Sequence, residues 1–134
     1  MTRVLKENSN IRILQIGIRG FSGCLSENGL VEVITQGMLH QNFEDVLKSK
    51  IPSGSKCYIS LDVDVLDPVF APGTGTPVPM GMHPRQLLQI LEMVAKNNKI
   101  IGIDLVEVCP DQDRDTTADL VFHILMCLLG WLKM

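Results

Sequence analysis

The sequence predicts an α/β fold in three layers, α-β-α, with helices on both faces of a parallel sheet. Three observations predict it. Continuous β-branched runs such as IRILQIGI (11–18) and KIIGIDLVEV (99–108) lack polar alternation, as expected of strands buried on both faces. Segments with apolar residues at helical spacing alternate with these runs. Proline and glycine clusters punctuate the boundaries between them.

The elements follow in order. Residues 1–10 form a polar lead-in, and 11–134 read as one partial α/β domain. A strand at 11–18 is followed by a Gly/Ser loop and a second strand, LVEVIT, at 30–35. From Gln36 to Lys50, Leu39, Phe43, Val46 and Leu47 share a helical face, and PSGS ends that helix. CYISLDVDV (57–65) is the third strand. A long loop, 66–82, carries four of the seven prolines. A helix over 84–98 starts with Pro84 at its first position and ends at Asn97-Asn98. A fourth strand covers 99–108, PDQDRDTTAD is an acidic loop and cap, and 117–133 is the last helix. Four parallel strands would form a small open sheet whose edges need covering, by loops, by another chain or by the rest of a larger sheet.

Composition narrows the function classes. Charged residues make up 20% and the net charge is −3, so nothing draws the chain to nucleic acid. Aromatics at 4% leave little for base stacking. The terminal run ADLVFHILMCLLGWLKM holds a histidine and is short for a membrane span, so a buried helix is expected. MTRVLKENSN has no apolar signal core. Cys24, Cys57, Cys109 and Cys127 form no CxxC pair, which fits a reducing compartment. Cys57 and Cys127 lie in apolar runs and are expected in the core.

The chemistry concentrates in SLDVDVLDPVFAPGTGTP (60–77). Side chains alternate along a strand, so Asp62 and Asp64 are expected on one side, roughly 6–7 Å apart. Two such carboxylates repel unless a cation joins them, so a divalent ion is the natural partner. The bland alternative is that they cap loops or pair with Arg or Lys. Asp67 precedes Pro68 and suits a turn. Thr74 and Thr76 offer hydroxyls in a loop constrained by Pro72, Gly73, Gly75 and Pro77. Glu107 stands at the carboxyl end of the fourth strand, where open α/β sheets place their sites. A carboxylate beside a metal pair suits a guanidinium held bidentately. Asp104, within the strand, is expected to be structural, as are His40, His83 and His123. An Asp-x-Asp at a strand end also occurs in aspartyl phosphatases and glycosyltransferases, but Leu66 and the lack of a phosphate cradle disfavour both.

These residues resemble the ureohydrolases, the family of arginases, agmatinases and guanidino-acid hydrolases. SLDVDVLDPVFAPGTGTP resembles the family's third metal-binding signature, and LQIGIRG (14–20), GMHPRQLLQIL (81–91) and IIGIDLVEVCP (100–110) resemble its successive segments in order. The likeness covers the chain from about residue 11, is closest to agmatinase, and corresponds to the C-terminal half of the arginase fold. It implies two manganese ions in the complete site, with Asp62 and Asp64 as metal ligands. It further implies Glu107 and Thr76 as substrate-binding residues, and hydrolysis of a guanidino compound to urea and an amine. It implies a cytoplasmic protein (mitochondrial for a longer eukaryotic form) and a homotrimer or homohexamer for the full-length form. The loop Gly20-Phe21-Ser22-Gly23 has no acid, which favours agmatine or a guanidino acid over arginine. The sequence contains neither the GGDHS-like nor the DxHxD segment of the family, and no general-acid histidine, so no catalytic set is complete. His83 replaces the usual Ser or Thr before its helix, so a weaker cap is expected, and Gln86 replaces a frequent glutamate. The alternative reading is an inactive family member that docks on full-length subunits.

Overall fold

A computed structural model describes residues 10–19 and 29–132. The expected 20–23 loop, Cys24 and most of the lead-in lie outside the described residues. The element order is β1 (Ile13–Ile18), β2 (Val31–Thr35), α1 (Gln36–Lys50), β3 (Lys56–Asp62), α2 (Pro84–Asn97), β4 (Lys99–Val106) and α3 (Thr116–Trp131). Short 3-10 turns occupy Val63–Val65 and Pro110–Gln112. The chain divides into two compact units between Val46 and Leu47.

In the first unit β1 and β2 pair in parallel, from Ile13 opposite Val31 to Ile16 opposite Ile34. The register then slips, and Ile18 faces Thr35. Gly17 sits at the slip with a φ of 85°, a backbone state that costs glycine little. Thr35 ends β2 and starts α1 at once: its Oγ1 accepts the Met38 N–H at 3.2 Å. Leu39 is buried, and Asn42 (φ −155°, ψ 70°) kinks the helix.

In the second unit β3 and β4 pair in parallel, ending with Asp62 opposite Val106. Both strands therefore deliver their carboxyl ends to one edge. α2 buries Leu87, Ile90, Leu91 and Ala95, a single stripe at helical spacing. α3 packs against α2 and buries Thr117, Val121, Ile124 and Leu128. No helix among the described residues is long and apolar enough to cross a membrane.

Among the described residues the strands pair in parallel as expected, β1 with β2 and β3 with β4. Periodicity identifies a strand but carries no record of its partner, which backbone register decides. Several expectations are corrected. The terminal helix is buried along one stripe only. Its other side exposes Phe122, Met126 and Leu129. Cys127 lies on that exposed side and Cys57 is half-buried, so neither is a core thiol as expected. Burial still raises the Cys57 thiol above its ordinary pKa.

His83 makes a full cap rather than a weak one. Its Nδ1 accepts the Arg85 N–H at 3.0 Å, and Gln86 Oε1 accepts the His83 N–H at 3.1 Å. Gln86 thus closes a capping box. The imidazole also meets Phe70 edge-on, with ring centroids 4.6 Å apart, which holds it over the helix start.

Candidate functional site

The site residues gather at the carboxyl edge of β3 and β4. β3 stops at Asp62, earlier than expected, and Asp64 lies in the following 3-10 turn. The reason is local: Asp62 Oδ1 accepts the Asp64 N–H at 3.0 Å, a side-chain-to-backbone bond that competes with the strand ladder. Alternation along a strand therefore does not relate the two acids. Asp62 stays beside Asp64 because it caps that residue's turn. Both are half-buried.

The long loop returns to this edge through Asp67, which acts as its clasp. Asp67 Oδ1 accepts the Val69 N–H and Oδ2 accepts the Gly81 N–H, both at 3.0 Å. The Asp67 N–H donates to the Met82 carbonyl at 3.0 Å. Here Asp67 serves the turn role expected of it. Gly81 must be glycine, because a β-carbon there would overlap the backbone at Leu66 and Asp67.

β4 stops at Val106, two residues before the expected end. Glu107 then takes a left-handed φ of 64°, uncommon for a side chain of its size. Observed strain of this kind concentrates at functional positions. Thr74 pairs antiparallel with Val108, which lays Gly75 alongside Glu107. A β-carbon at Gly75 would lie 3.3 Å from Glu107 Oε2. Glu107 and Thr76 are both exposed, on facing segments. The loop and the strand-end acid are thus brought together.

The loop is anchored by residues that sequence reasoning did not single out. Thr117, fully buried in the first turn of α3, accepts the Gly73 N–H through Oγ1 at 2.8 Å. The same hydroxyl donates to Asp113 Oδ2, which also accepts the Thr117 N–H at 2.8 Å. The acidic segment was expected to cap α3, but its four acids are alike in sequence and only contact selects Asp113. Asp104 is structural: it accepts the Tyr58 hydroxyl at 3.0 Å.

Manganese takes carboxylate oxygens readily, so Asp62 and Asp64 suit it in donor type. They do not suit it in number. No group of three or more His, Cys, Asp or Glu side chains is arranged to hold a metal among the described residues. His40 bonds Gln36 at 3.2 Å, His83 caps α2, and His123 rests edge-on to Phe122.

A family model described as Arginase family matches residues 1–130. The human mitochondrial guanidino acid hydrolase is 39% identical, over 87% of this chain and 37% of its own length. An N(1)-aminopropylagmatine ureohydrolase of Thermus thermophilus is 33% identical, over 90% of this chain and 44% of its own length. The crystal structure of agmatine ureohydrolase of Thermoplasma volcanium superposes with a TM-score of 0.83 at 27% identity, covering 96% of this chain and 45% of that one. The chain thus spans about two fifths of the length of the curated relatives it matches. The chain belongs to the arginase family.

Proposed function

We propose that this chain carries the guanidinium-holding part of an agmatinase-like ureohydrolase site, together with two of its carboxylate metal ligands. The complete site would hydrolyse a guanidino compound to urea and an amine with manganese. Glu107 would hold the guanidinium, Thr76 would flank it, and Asp62 and Asp64 would contribute to the metal site. The observation that carries this reading is the Glu107 carboxylate set against Gly75, in the loop that follows both aspartates. The left-handed backbone sets the direction in which the Glu107 side chain leaves the chain, and its two carboxylate oxygens match a planar guanidinium bidentately.

With only two carboxylates, the chain alone holds manganese weakly and does not turn over. Titration of the purified chain with agmatine should show saturable binding that Glu107→Gln removes. Absence of binding would overturn the assignment of Glu107. Urea release from agmatine by the chain alone, with excess manganese, would overturn the claim that further ligands are required.

A second reading has its own observation. Phe122, Met126 and Leu129, exposed by 58%, 50% and 46%, form an uncovered apolar stripe on α3. It supports a non-catalytic role, in which the chain docks on complete family subunits. Sedimentation that shows a folded monomer ignoring a full-length agmatinase would count against it.

A further inference from the structure

The tie between α3 and the Gly73–Pro77 loop has a hydroxyl at its centre. Thr117 Oγ1 accepts from Gly73 N–H at 2.8 Å and donates to Asp113 Oδ2. The Gly73 carbonyl is held from the opposite side by the Cys109 N–H at 2.8 Å. Gly73 thus has both backbone groups engaged, one by the start of α3 and one by the chain just after Glu107. Its missing side chain completes the fit, since a β-carbon would lie 2.6 Å from Asp113 Oδ1. Two residues further on, a β-carbon at Gly75 would lie 3.3 Å from Glu107 Oε2. The Gly73 bonds and the Thr74–Val108 bridge together place the Gly73–Pro77 loop beside Glu107.

We propose that Thr117, held in orientation by Asp113, is a positioning residue that sets the Gly73–Pro77 loop against Glu107 and thereby controls guanidinium binding. This rests on the reading of Glu107 as the guanidinium acceptor. A hydroxyl at 117 accepts from Gly73 and donates to Asp113 through one and the same atom. Valine matches threonine in shape but leaves the Gly73 N–H unpaired and removes one of the two hydrogen bonds to Asp113 Oδ2, the one from the Thr117 N–H remaining. Serine keeps both bonds.

The test is a titration of the isotopically labelled chain with guanidinium ion, read by NMR at the Glu107 carboxyl and the Thr76 amide. Wild type and Thr117→Ser should bind alike, and Thr117→Val should bind at least about tenfold more weakly, as expected when a recognition group is displaced. Equal binding by Thr117→Val and wild type would overturn the positioning role while leaving Glu107 as the acceptor. No binding by wild type would overturn the Glu107 reading and this inference with it. A measurement on wild type alone guards against a valine variant that does not fold. The Gly73 amide should exchange with solvent far more slowly than its exposed neighbour Gly75, and should shift when guanidinium binds. Rapid exchange at Gly73 would overturn the inference.

Discussion

Tyr58 and Asp104 meet diagonally across β3 and β4, and the pair shows how one contact sets a residue's chemistry. The hydrogen bond to Asp104 raises the Tyr58 pKa, with desolvation and the Asp104 charge adding to it. The folded value thus lies above the unfolded one. The bond therefore contributes its stability below the ordinary tyrosine range and loses it as pH rises through the folded pKa. Tyr58 is the single tyrosine, so an absorbance titration reads it alone. Its midpoint should lie above that of free tyrosine, and Asp104→Asn should bring it down; an unchanged midpoint would refute the contact. Gly81 is a second case. Its missing β-carbon lets the loop close on Leu66 and Asp67. Gly81→Ala should cost about 1–3 kcal/mol in denaturant unfolding, because backbone rather than a movable side chain is in the way. Neither contact was visible in the sequence. Asp104 read as structural without a partner, and Gly81 as one more residue at a loop's end.

Element boundaries were legible where a local rule acts alone. α1 begins at Gln36 and α2 at Pro84, as their spacing and Pro84 require. The strand ends were not legible, because there a side chain or a turn overrides propensity. Asp62 bends onto the Asp64 N–H and stops β3, and Glu107 enters the left-handed region and stops β4. The start of α2 was underestimated for a different reason. The cap strength of His83 depends on Gln86 and Phe70 together. His83→Ala should destabilise the second unit by about 0.5–2 kcal/mol, whereas His83→Ser should be close to neutral. Thermal melts of the two variants check this, and equal melts would show that the capping box contributes nothing.

For the molecule as a whole, the question is how much of a site this chain contains. Asp62 and Asp64 alone leave most coordination positions of a divalent ion to water. Manganese should therefore bind with a dissociation constant of about 1 mM or weaker, and Asp62→Asn should abolish the response. Paramagnetic relaxation of solvent water reads this directly, and micromolar binding would show that further ligands exist in the chain. By itself the sequence determined the α/β class, the parallel strands and the family, since each rests on residue type, period or short spacing. Tertiary structure decided the rest. Strand partners, the meeting of Gly75 with Glu107 and the bond between Gly73 and Thr117 depend on residues far apart in the chain. Periodicity records which way a side chain faces; only the folded backbone sets what it faces.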